Sequence, residues 1–381
     1  MPRAGGWGRM RGYRYEALDG VRGLAAQAVV FTHAVEMAFL PAHGTGAGVT
    51  GWIGRASVML FFALSGFVIA TSLGRLADRD GRHLVPYAVH RVARIVPPLV
   101  FAIIVTFAVG ALGRAGLPLL TRSGEPYDMG VLAFLRGITL TFAPSDATFV
   151  IDNPLWSLRQ EVYLYAVAAF ASLALVGHGV RRVLGAALAV GLIVVTANRF
   201  FYLQSLALFG AGAAAAGFGG HPGLRRIAAS PALLPVAGLA LAAPLAFVGQ
   251  PGFVDGMSAW GPFLAYQAAL GLPLGLCLLG LAIDESSIAR GFAACAGAAA
   301  FSYTLYVVHM PILVLVFSLR AHLGWAPGWT GSAATLAVAW LGAQVVAITA
   351  ARSLERPKAA RAALFRLLGR IGWTGTLSRS A

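Results

Sequence analysis

Apolar runs of about twenty residues alternate with short polar or basic stretches along the whole chain. A hydrocarbon core of about 30 Å takes roughly 20 helical residues at about 1.5 Å rise each, so runs of this length predict membrane-crossing helices. Ten such runs fall near 20–41, 52–73, 96–113, 156–176, 183–198, 200–218, 231–249, 262–283, 297–320 and 332–352. The pattern predicts an all-α fold, a polytopic bundle of about ten transmembrane helices occupying residues 20–352. Residues 1–19 form a basic tail before it, and residues 353–381 a basic amphipathic tail after it. A shorter apolar piece, Val131 to Ala143, reads as interfacial or re-entrant. As an eleventh span it would carry Arg181, Arg182, Arg225 and Arg226 to the opposite side.

Composition sharpens this picture. The 381 residues are 58% hydrophobic and only 11% charged, which is incompatible with a water-covered surface, and 47 glycines suit close helix packing in lipid. Cys277 and Cys295 both lie in or beside apolar stretches, so neither a disulfide framework nor a cysteine-ligated metal site is expected. The net charge of +15 does not point to nucleic acid, because the cations are scattered between apolar runs rather than gathered on one soluble face. It reads as topology. With the N-terminus in the cytoplasm, 22 of the 29 Lys and Arg fall on the cytoplasmic side, as the positive-inside rule requires, and the even number of spans returns the C-terminus there. In the last tail, Lys358, Arg361, Arg366 and Arg370 are interleaved with Leu364, Phe365, Leu367, Leu368 and Trp373, a pattern suited to an anionic leaflet.

Ionisable groups within spans are costly and mark candidate sites. Arg22 and His33 are eleven residues apart, so they share one helix face about 16 Å apart along the axis, and Asp19 is placed to cap that helix. Arg22 is equally explained as a snorkelling anchor. His33, near mid-span with Glu36 one turn on, suits proton transfer by an oriented imidazole. Ser65-Gly66 offers a hydroxyl and a place of close approach for a ligand or another backbone. Trp156 opens a segment in which Ser157, Glu161 and Tyr165 form one stripe, with Glu161 serving either chemistry or a structural pairing to Arg159 or Arg55. Ser302, Tyr306 and His309 align at i, i+4 and i+7 just before Pro311. Arg91 and Arg94, at i and i+3 in a basic patch with Arg75, Arg79, Arg82, His83 and His90, could grip one phosphorylated ligand, although the positive-inside bias explains most of the patch.

In order along the chain, these pieces resemble the acyltransferase 3 family of integral membrane O-acyltransferases. Leu18-Asp19-Gly20-Val21-Arg22-Gly23-Leu24-Ala25-Ala26 is similar to its LDGxRGxAA opening, and Arg22 to His33 reproduces its Arg-x10-His spacing. Phe61 to Phe67 resembles FFxLSGF, Arg91 to Pro97 RxxRIxP, Trp156 to Glu161 WSLxxE, and Ser302 to Pro311 SYxLYxxHxP. Three departures stand out: Thr304 for a common proline, Arg159-Gln160 for a small and apolar pair, and Met310 for a frequent tryptophan. Larger relatives append a hydrolase-like domain, for which no room remains after the tenth run, so the resemblance is to the stand-alone form.

The resemblance implies a multi-pass protein of the bacterial inner (cytoplasmic) membrane. It also implies an acyl-coenzyme A donor, most often acetyl-CoA, with no tightly bound cofactor. The acyl group would pass to a hydroxyl of a carbohydrate acceptor such as a surface polysaccharide or lipid-linked glycan. A macrolide-type small molecule is the second acceptor class. On this reading His33, Arg22, Glu161 and His309 are catalytic. Arg91, Arg94, Ser65 and Gly66 bind the acyl-CoA, while Glu36, Trp156, Ser157, Tyr306 and Ser302 bind the acceptor. Direct transfer and an acyl-enzyme on His33 or His309 are both open. The competing class is a proton-coupled transporter or flippase, which also uses intramembrane His, Glu and Arg but usually shows paired broken helices that this sequence lacks.

Overall fold

The computed structural model describes residues 14–43, 47–76, 83–121, 126–196, 202–247, 261–283, 286–325 and 328–370. Arg79, Arg82, most of the N-terminal tail and Trp373 lie outside them. Sixteen α-helices occur among the described residues: α1 Glu16–His43, α2 Ala47–Leu76, α3 Leu84–Arg114, α4 Val131–Ile138, α5 Ala147–Ile151, α6 Leu155–Val176, α7 Val180–Thr196 and α8 Tyr202–Phe218. After them come α9 Pro222–Ala228, α10 Leu233–Ala242, α11 Gly261–Ala269, α12 Gly271–Ile283, α13 Ser287–Ala294, α14 Ser302–His322, α15 Trp329–Leu354 and α16 Pro357–Arg370. The described residues contain no strand, only an isolated bridge between Asp128 and Asp146.

Helix occupies part of each of the ten apolar runs. Among the described residues five helical segments are long and apolar enough to cross a membrane, in α2, α3, α11–α12, α14 and α15. The bent pair formed by α9 and residues 233–247, broken by 65°, makes a sixth if counted as one span. At 28 residues α1 is long enough to cross, but Asp19, Arg22 and Glu36 lower its hydropathy. It also starts earlier than the apolar pattern indicates. Asp19 therefore lies inside the helix and pairs with Arg22 at 3.0 Å instead of capping it. At eight residues α4 measures about 12 Å, too short to cross, and its Val131, Leu132 and Leu135 are exposed. Its Arg136 forks onto buried Asp146 at 2.9 and 2.5 Å, tying α4 to the turn before α5.

The core has two main lobes. One joins the first turns of α1 to α2, α8 and α12. The other joins α3, α6, α14 and α15. Between α2 and α8 the backbones nearly touch: a Cβ on Gly66 would lie 1.9 Å from the Phe209 carbonyl oxygen, and one on Gly212 1.9 Å from that of Ala63. These glycines let two helices meet where lipid gives no hydrophobic drive to associate. The basic α16 packs along α3, with Arg361 Nη1 3.3 Å from His90 Nε2.

Candidate active site

Five helices, α1, α2, α3, α6 and α14, enclose a cavity of about 600 Å³ between the two lobes. Helix direction orders its walls. The last turn of α2 and the start of α3 bring Arg75, His90, Arg91 and Arg94 to one end, beside Tyr15. The middle is lined by Arg22, Ser65, Glu161 and Tyr165, and the far end by Phe61, Ser157 and Tyr306.

Arg22 is held from three sides. Its Nη1 meets Asp19, its Nε donates to Ser302 Oγ at 3.3 Å, and its Nη2 donates to the Ala299 carbonyl at 3.2 Å. It fixes α1 against the start of α14, so a free snorkelling anchor does not describe it. Arg91 stacks over Tyr87 and Tyr165, with its carbon 5.7 and 5.8 Å from the two ring centres, and its buried Nε has no protein partner. Among the described residues no ion pair ties up Arg91 or Arg94. Two guanidinium groups from one helix therefore face the cavity with donors to spare.

Glu161 accepts hydrogen bonds from Ser65 Oγ and Tyr165 OH on the same carboxylate oxygen. It is thus a cavity carboxylate, served by hydroxyls from two helices. At the far end Ser157 Oγ donates to the Pro154 carbonyl at 2.9 Å, which leaves the Tyr306 phenol as donor across the 2.5 Å contact between the two hydroxyls.

One turn beyond Tyr306 lie the two histidines. His33 on α1 and His309 on α14 stack with ring centres 5.5 Å apart and planes 19° apart. His309 Nδ1 is 2.7 Å from the Tyr306 carbonyl, which can only accept, so Nδ1 carries the proton and Nε2 the lone pair. That Nε2 is buried without a protein partner. His33 Nδ1 likewise faces Glu36 Oε2 at 3.2 Å, and the His33 and Glu36 side chains keep 22% and 14% of their surface exposed. Neither ring lines the cavity itself. Tyr306, which does, touches the His309 ring at 5.9 Å between centres.

Most of the residues singled out by pattern line this cavity, and His33, His309 and Glu36 form a group beyond its Tyr306 end, but Gly66 and Trp156 sit elsewhere. Gly66 is consumed by the α2–α8 contact and does not line the cavity, because the space a ligand would need is taken by the Phe209 carbonyl. Trp156 is half-buried outside the lining. Arg159 is over the Phe142 ring at 4.7 Å, and Gln160 accepts from Ser205 Oγ at 2.7 Å. Pattern alone missed Tyr15 and Glu355. Glu355 accepts from both Thr304 N and Thr304 Oγ1, at 2.8 and 2.7 Å, near Arg94 and Arg22. Its signal was a lone acid among Arg352, Arg356 and Lys358. Among the described residues no cluster of His, Cys, Asp and Glu could hold a metal ion.

Comparison with known proteins agrees with this geometry. No solved structure matches the chain. The curated protein "Protein 2 in picA locus" of Rhizobium radiobacter is 32% identical over 164 residues, covering 41% of this chain and 81% of that relative. The acyltransferase 3 family model, described as an acyltransferase domain, matches residues 15–344. That match takes in all five helices around the cavity and both histidines, and the chain belongs to the acyltransferase 3 family of membrane acyltransferases.

Proposed function

We propose that the protein is an O-acyltransferase of the bacterial inner membrane that moves an acetyl group from acetyl-CoA to a hydroxyl of a carbohydrate acceptor. A surface polysaccharide or lipid-linked glycan is the acceptor class. The chain crosses the membrane ten times with both termini cytoplasmic, so the arginine end of the cavity opens to the cytoplasm, where acyl-CoA resides. One observation carries the reading: a continuous cavity runs from unpaired Arg91 and Arg94 to Tyr306, directly before a stacked His33–His309 pair.

Arg91 and Arg94 hold donor phosphates, and the thioester reaches Tyr306 along the wall formed by Phe61, Ser65 and Glu161. The acceptor hydroxyl approaches from the side on which His33 and Glu36 retain exposed surface. His33 Nε2 takes the hydroxyl proton as its oxygen attacks the thioester carbon, and Glu36 stabilises the resulting imidazolium through Nδ1. Tyr306 OH turns from Ser157 to the developing oxyanion. The carbon–sulfur bond then breaks, the thiolate takes a proton, and free coenzyme A and the acetyl ester leave.

The test is thiol release from acetyl-CoA by purified protein with and without glycan extract. Glycan-stimulated release in wild type, lost by about 10²-fold or more in His33→Ala, is the expected outcome. No thiol release from folded wild-type protein would defeat the reading.

A further inference from the structure

The mouth of the cavity holds a contact that phosphate binding alone does not explain. Arg75, in the last turn of α2, donates from Nη2 to Tyr15 OH at 2.7 Å, and its guanidinium carbon lies 5.1 Å from the Tyr15 ring centre. The ring and the hydrogen bond together fix the plane of a side chain that would otherwise swing freely. Arg75 nevertheless stays exposed and lines the cavity beside Ser72 and Leu76. A guanidinium backed by an aromatic ring offers a flat, weakly hydrated cationic face, the surface on which a heterocyclic base stacks.

Resting on the donor reading above, we propose that Arg75, held in plane by Tyr15, is the stacking seat for the donor's purine base. The acyl group therefore arrives on a nucleotide thioester and not on a carrier protein. The order of chemistry along the cavity matches such a molecule part by part. A flat seat at the mouth suits the base, and His90, Arg91 and Arg94 just inside suit its phosphates. A shaft walled by Val68, Ser65 and Phe61 suits the thin amide arm, ending at Tyr306. From Glu16, next to Tyr15, to His33 the α1 axis runs about 26 Å, so the donor must be long. A carrier protein delivers the same arm with one phosphate and no base, which would leave the Tyr15–Arg75 seat unused.

The experiment compares acetyl-CoA with acetyl-4′-phosphopantetheine, which lacks the base with its ribose and two of the three phosphates, as donors for wild type, Arg75→Lys and Tyr15→Phe. Lysine keeps the charge and loses the plane, while phenylalanine keeps the ring and loses the hydrogen bond. The expected result is a KM for acetyl-CoA raised about tenfold in Arg75→Lys and less in Tyr15→Phe, with kcat unchanged, and no difference between the proteins on the truncated donor. Equal KM values in wild type and Arg75→Lys on acetyl-CoA would overturn the seat, as would equal losses on both donors. A wild type that releases thiol from neither donor defeats the donor reading itself. One that uses the truncated donor and acetyl-CoA equally well defeats only the seat.

Discussion

Two carboxyl groups nine residues apart on the sequence meet opposite fates. Glu161 receives two hydroxyl donors and faces the cavity, whereas Asp152, in the turn before α6, is fully buried. Its Oδ2 has only Thr106 Oγ1 at 3.4 Å, and its Oδ1 has no protein partner. Burial pushes the Asp152 carboxyl well above its ordinary value of 3.8, with Thr106 opposing weakly. The folded protein thus keeps a proton that the unfolded chain releases above about pH 4, so stability declines as pH rises from there through the raised folded value. Asp152→Asn, which mimics the neutral acid, is expected to melt close to wild type at pH 5 and above it at pH 8, read by thermal unfolding in detergent. A variant equally destabilised at both values would mean that the carboxylate is charged and needed. The sequence singled out Glu161 because a charge inside an apolar run has few bland explanations. Asp152 was illegible because an acid in a polar turn beside Asn153 and Pro154 looks like ordinary turn chemistry.

Helices are positioned here by contacts at their ends and by absent side chains. At the start of α14 the Thr304 amide has no partner within its own helix, and Glu355, just past α15, supplies the acceptor together with one for the Thr304 hydroxyl. The proline common at this position in the family has no such N–H to give, so this lock belongs to the threonine. Glu355→Ala is expected to cost roughly 1–3 kcal/mol and lower the melting temperature, whereas Glu355→Gln, which keeps a carbonyl acceptor, recovers most of it. Gly66→Ala is expected to be worse, since its Cβ would enter the Phe209 carbonyl and force α2 from α8. Little folded protein should survive size-exclusion chromatography, while Ser65→Ala, one residue away, should leave the elution profile intact. Apolar run length located these helices well because a membrane fixes it. It could not tell whether Gly66 served a ligand or a neighbour, since both need the same missing side chain and only the partner, Phe209 on α8, 143 residues further along the chain, decides.

At the scale of the whole molecule, the proposed chemistry depends on which way the cavity opens. A charged thioester made in the cytoplasm does not cross lipid, so the proposed function requires Arg75, Arg91 and Arg94 to face the cytoplasm and the surface near His33 and Glu36 to face the acceptor. Charge bias supports this orientation, because moving the arginine-rich connections outward would oppose the positive-inside rule several times over. On the proposed ten-span arrangement, the turn between α4 and α5 and the turn between α9 and α10 lie on opposite sides. Ser145 and Ser230 are exposed in those two turns. With Cys277 and Cys295 replaced by alanine, Ser145→Cys should react with a membrane-impermeant maleimide on intact spheroplasts, and Ser230→Cys only after permeabilisation. Labelling of both from outside would reduce the span count between them to an even number. The reverse pattern would turn the arginine mouth away from the cytoplasm, and then the His33–His309 pair could not receive an acyl group from coenzyme A through this cavity.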